Sequence, residues 1–158
     1  MEKLPRSLSI ALLAATLLLA SMGADSRPQA QHPNTHLAYH DHAPTEPLPT
    51  TLDPEPFKEN RVAFTAYALA AQIRETLYQV PCYCPCNKHQ GHQSLLDCFR
   101  DNHGAKCHLC QQEAIFCFIE RQKNPAQLRQ ALAHGEAWCI DLEKETARLS
   151  GQTQGHQR

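Results

Sequence analysis

The sequence predicts a mainly α protein: a small cysteine-rich helical domain of about four helices with an extended Cys-x-Cys-x-Cys loop, behind a signal peptide and a disordered Pro/His-rich linker. Three observations carry this. Apolar residues recur at helical spacing in several windows, and no strand-rich run flanks the cysteines. Six of the eight cysteines and four of the ten histidines fall between Pro81 and Cys110. Seven of the eleven prolines fall between Ala24 and Pro56, ahead of that stretch.

The elements follow in chain order. Residues 1–23 have the pattern of an export signal: Lys3 and Arg6 precede an apolar run from Leu8 to Ala20, and Ser21-Met22-Gly23 offers small residues for cleavage. A membrane-spanning helix wants about 20 apolar residues, so an uncleaved anchor is the lesser expectation and no stable membrane span is expected in the mature form. Residues 24–57 are expected to be a disordered linker, because so little apolar surface cannot offset the entropy of ordering. Its histidines, His32, His36, His40 and His42, suit a polar spacer as well as a weak metal trap.

Residues 58–148 are the expected domain. Val62, Leu69, Ile73 and Leu77 predict one helix from about Lys58 to Gln79, stopped by Pro81. Cys82, Cys84 and Cys86 alternate with Tyr83 and Pro85, so an extended backbone would place three thiols on one face. Pro85 holds its own φ and pushes Cys84 toward an extended conformation. Ser94 and Asp97 form an S-x-x-D capping box for a short helix to about Asn102 that carries Cys98, with Gly104 expected to end it. Cys107-His-Leu-Cys110 then falls one turn into a helix running to about Gln122, whose dipole favours thiolate.

Distance sorts the remaining cysteines. Cys117 lies ten residues beyond Cys107, about 15 Å along a straight helix, too far for both sulfurs to bind one ion. Cys117 and Cys139 are therefore expected outside the cluster: Cys117 as a buried thiol or as part of a second site, or the two paired with each other. Glu113 could orient a ligand, but an exposed helix glutamate is the commoner case. Asn124-Pro125 starts another helix, with Gly135 at its end. Asp141 to Arg148 can add a turn or two, and 149–158 should fray as a disordered tail.

The run Pro81-Cys82-Tyr83-Cys84-x-Cys86, Gly91-His92, Ser94-Leu95, Asp97-Cys98-Phe99, His103-Gly104 and Cys107-x-x-Cys110 resembles the PCYCGC-motif family of exported bacterial proteins, often lipoproteins, whose function is uncharacterised. The resemblance covers roughly Tyr67 to Trp138 and implies a periplasmic or extracytoplasmic location but no activity. Pro85 and Asn87 stand where the family has glycines. No lipobox cysteine follows the leader, which removes the usual lipid anchor.

Chemistry narrows the function. Lys plus Arg is 15 and Asp plus Glu is 16, a net charge of -1, which suggests no nucleic-acid surface. Covalent haem needs C-x-x-C-H, and Gln111 follows Cys110. No single cysteine stands out as a hydrolase nucleophile; an iron-sulfur cluster stays open on ligand count alone, though its family spacings are not reproduced.

Three readings stay open. The first is a metal-binding module for Cu(I) or Zn(II), with Cys82, Cys84, Cys86, Cys98, Cys107 and Cys110 as thiolates and His92 or His103 as additions. The second is a disulfide-stapled structural or interaction domain. The third is a thiol oxidoreductase acting through Cys107 and Cys110. The expected partner is a metal ion, with another exported metal-handling protein beside it. For each histidine the ordinary role is surface or support rather than ligation.

Overall fold

The structure, a computed structural model, describes residues 37–153. The expected signal 1–23, the linker stretch 24–36 and the tail residues 154–158 lie outside the described residues. Within them the chain is helical and has no strand.

The first long helix starts where Asn60 accepts a hydrogen bond from the Ala63 amide at 3.1 Å, which satisfies one of the helix's free N–H groups. This helix, α1, spans Arg61–Ala70 and buries Ala63, Ala66, Tyr67, Leu69 and Ala70. The expected single helix to Gln79 is two. The Gln72 and Ile73 amides bond three residues back, to Leu69 O at 3.0 Å and Ala70 O at 3.3 Å, a tightened end that closes α1. A second short helix, α2, spans Arg74–Tyr78. The break turns Leu77 into the core against the 3-10 turn Leu95–Phe99, and full burial of such a side chain contributes roughly 1.5–3 kcal/mol.

Four more helices precede the C-terminal one: α3 over Cys86–His89, α4 over His103–Lys106, α5 over His108–Ile119 and α6 over Pro125–Ala133. Helix α5 is central. Every residue from Cys110 to Phe118 is buried, and α1 packs against it. Helix α6 has the expected start, a reciprocal pair in which Asn124 accepts from the Gln127 amide and Gln127 accepts from the Asn124 amide, both at 3.0 Å. Gly135, at φ 79°, takes the left-handed conformation that ends it. The last helix, α7, spans Leu142–Thr153 and outruns the turn or two expected. Leu149 is buried, so the packed face continues past Arg148.

The segment 37–57 departs from the expected tether. Tyr39 lies under the Arg129 guanidinium, 4.6 Å from ring centre, and His40 stacks on Tyr78 at 3.8 Å. Arg74 donates to Leu48 O at 3.1 Å, and the Leu52 amide donates to Phe99 O at 2.9 Å. Phe57 packs 4.4 Å from the Tyr67 ring. Aromatic and aliphatic side chains scattered among the prolines thus find partners that composition does not show. The segment is a strap across α2 and the Leu95–Phe99 turn.

Candidate metal centre

The three-thiol stretch is curled, not extended. On a flat strand, side chains two apart stand roughly 6.5 Å from each other, whereas the sulfurs of Cys82, Cys84 and Cys86 all lie within 4.8 Å. Two interactions bend it. Glu113 Oε1 accepts the Tyr83 amide at 2.9 Å, and Pro85 precedes α3, whose first residue is Cys86. Glu113 is therefore no surface glutamate: it is fully buried. Burial, with the Cys110 charge adding to it, holds its carboxyl well above the usual range.

Cys98 arrives on a 3-10 turn rather than an α-helix. Ser94 is buried and its side chain makes no cap bond. Asp97 instead accepts the Gln93 amide at 2.7 Å and pairs with Arg100 at 3.0 Å. The expected capping box is thus replaced by an acceptor that caps from inside the turn.

Gly104 does not end a helix but lies within α4. A Cβ there would stand 2.8 Å from Cys98 O and 3.1 Å from the Phe99 ring. Only glycine lets α4 approach the Cys98 turn this closely. Two buried groups hold α4 in place. The Tyr67 hydroxyl donates to Asp101 O and accepts from the Ala105 amide, while Gln111 Nε2 donates to Gly104 O at 2.8 Å and Ala105 O at 3.1 Å.

The C-x-x-C opens α5 rather than sitting one turn in, since Cys107 is its N-cap. Cys107 is half-buried and Cys110 fully buried. Cys82 Sγ lies 3.3 Å from Cys110 Sγ, Cys84 Sγ 3.7 Å from it, and Cys86 Sγ 3.6 Å from Cys98 Sγ. All eight cysteines are free. Cys117 is fully buried and Cys139 exposed, so they do not pair, and neither stands in a ligand set.

Both histidines reach the sulfurs, at hydrogen-bond distance. His103 Nε2 lies 3.4 Å from Cys84 Sγ, and Gln90 Nε2 lies 2.6 Å from His103 Nδ1. With Gln90 as donor, the ring proton sits on Nε2, facing the sulfur; ligation through Nε2 would need the other tautomer, with Nδ1–H donating to the amide oxygen of a flipped Gln90. His92 Nδ1 lies 3.3 Å from Cys98 Sγ while its Nε2 faces Asp101 at 3.7 Å. The two rings meet edge to face at 5.3 Å. His92 also borders an open cleft shared with Gly91, Asp97, Arg100 and Asp101.

Protons are shared unevenly. Hydrogen bonding from Cys107 first, and then from Cys82, pushes Cys110 down to about 4. Cys84 is lowered chiefly by Cys107 and Cys86 chiefly by Cys82. Cys82, Cys98 and Cys107 are raised, each chiefly through its bond to Cys110. Burial opposes protonation of His103, but its bond to Cys84 and the charge of Cys110 outweigh this and raise its pKa.

The donor atoms fall into sets that suit one ion each. Cys84, His103, Cys107 and Cys110 offer four atoms all within 4.8 Å of one another. Sulfurs around a tetrahedral zinc stand about 3.8 Å apart, close to the separations seen. Fold and site together define a small helical protein built around a buried thiol–imidazole cluster. The chain belongs to the family of proteins of unknown function with a PCYCGC motif, whose model matches residues 9–134. Neither the curated proteins nor the solved structures contain a match to it.

Sequence reasoning missed Tyr67, Gln111 and the buried state of Glu113. Their only signal was a polar residue on the apolar side of a helical pattern, which surface residues share. No described helix is long and apolar enough to cross a membrane.

Proposed function

We propose that this chain is an exported, thiol-rich protein that binds a soft metal ion, Cu(I) or Zn(II), joining the Cys82–Cys86 curl to the C-x-x-C of α5. The observation that carries the reading is the convergence of Cys84, His103, Cys107 and Cys110 within 4.8 Å. Thiolates select these ions over hard cations. Sulfurs brought together by three separate elements, with imidazoles turned toward them, are what a metal site needs and a disulfide does not. Cys82, Cys86, Cys98 and His92 extend the same donor surface. Export through residues 1–23 and a periplasmic or extracytoplasmic location belong to this proposal, as does exchange of metal with another exported metal-handling protein.

The test is metal content after purification under reducing, anaerobic conditions. Cys84→Ser and Cys110→Ser should each lower bound Cu(I) or Zn(II) by about tenfold or more in affinity, since each removes a donor from a four-donor set. Full stoichiometry and affinity in either variant would rule out a site shared between the curl and the C-x-x-C.

A further inference from the structure

We propose that the cluster holds at least two soft ions, Cu(I) by preference, in two adjoining ligand sets that meet at Cys110. This rests on the metal-binding reading above and adds the number of ions and the division of the ligands. A single tetrahedral ion is satisfied by Cys84, His103, Cys107 and Cys110. That leaves Cys82, Cys86 and Cys98 over. These three also converge. Cys82 Sγ lies within 4.8 Å of both Cys86 Sγ and Cys98 Sγ, and Cys86 Sγ is 3.6 Å from Cys98 Sγ.

The second set is as well built as the first. Its thiols are 4%, 2% and 0% exposed for Cys82, Cys86 and Cys98, so solvent does not compete for them. A thiolate-rich set of this kind, shared through Cys110, suits a soft ion such as Cu(I). His92 Nδ1 stands 3.3 Å from Cys98 Sγ, with Asp101 3.7 Å from its other nitrogen.

The sets are not independent. Cys82 Sγ is 3.3 Å and Cys84 Sγ 3.7 Å from Cys110 Sγ, and Cys110 itself forms a group with Cys82 and Cys98. A thiolate has more than one lone pair, so Cys110 can bridge an ion in each set. Two ions joined through it make a small copper–thiolate cluster rather than two isolated sites.

The deciding experiment titrates the reduced, metal-free chain anaerobically with Cu(I) buffered by bicinchoninate, reads the ratio by native mass spectrometry, and records X-ray absorption of the loaded protein. Two or more Cu(I) per chain with a Cu–Cu scattering vector is the expected result. A Cys86→Ser, Cys98→Ser double variant should lose at least one of them while keeping the other. Saturation at one Cu(I) in the unaltered chain would overturn the two-set division and leave the metal-binding reading standing. Two Cu(I) without a Cu–Cu vector would overturn the bridge at Cys110. Failure to retain any Cu(I) against the competitor would overturn the two-ion inference and leave only the Zn(II) form of the metal-binding reading. The ratio and the vector come from the unaltered chain, so they decide even where the variant does not fold.

Discussion

Glu113 shows how one buried side chain sets the geometry of several others. Its Oε1 is the acceptor for the Tyr83 amide between Cys82 and Cys84. Replacing it by alanine would remove that acceptor from a part-buried N–H, at a cost of about 1 kcal/mol. Glu113→Ala should therefore lower both the denaturant midpoint and the metal affinity, whereas Glu113→Gln, which keeps the carbonyl oxygen, should retain most of both. Equal loss in the two variants, measured by urea unfolding and competitive metal titration, would mean that the negative charge and not the acceptor is what the site needs. Cys117 provides the contrast. Burial, with the Glu113 charge second, raises its thiol pKa, as expected of a core sulfur. Cys117→Ala combined with Cys139→Ser should cost some stability but leave the metal ratio unchanged, and metal loss on elemental analysis would show that Cys117 reaches the cluster.

At the level of elements, the site is assembled from pieces too short to hold themselves. Helices α3 and α4 are four residues each, far below the length at which an isolated helix persists in water. Tertiary contacts hold them. Gly104 is the tightest of these, with Cys98 O where its Cβ would be. Gly104→Ala should push α4 away from the Cys98 turn, costing roughly 1–3 kcal/mol as overpacking does, and should carry His103 away from Cys84. The His103 imidazole resonances in NMR would report the move. Unchanged shifts and an unchanged melting temperature would mean that α4 has slack its geometry does not suggest.

For the molecule as a whole, the proposed metal binding would be linked to folding because the donors come from the Cys82–Cys86 curl, the Leu95–Phe99 turn, α4 and α5. An ion present at a thousand times its Kd stabilises the native state by about 4 kcal/mol, worth about 10 °C or more in a domain of this size. A chelator added to the reduced, metal-loaded chain should lower Tm by that order, and restored metal should reverse it. Reductant without chelator should leave Tm unchanged. The opposite pattern in differential scanning calorimetry, sensitivity to reductant and indifference to chelator, would mean that disulfides and not metal hold the domain.

Much of this was legible in residue order alone. Helical periodicity gave the all-helical class, Asn124-Pro125 and Gly135 gave the bounds of α6, and the crowding of cysteines between Pro81 and Cys110 marked the site, because periodicity, caps and ligand spacing are local properties of the chain. The ten-residue separation of Cys107 and Cys117 likewise sufficed to set Cys117 apart. Tertiary structure decided the rest. Whether the three thiols of the curl face one point depends on a glutamate thirty residues away. The joining of His103 to Cys84 depends on a hydroxyl of α1 and on the missing Cβ of Gly104. The strap 37–57 became ordered through the Tyr78 ring of α2, the Arg129 guanidinium of α6 and the Tyr67 ring of α1, partners that its own composition cannot announce. In each case the controlling energy is a buried hydrogen bond or a close packing contact between distant segments, and such contacts leave no period in the sequence.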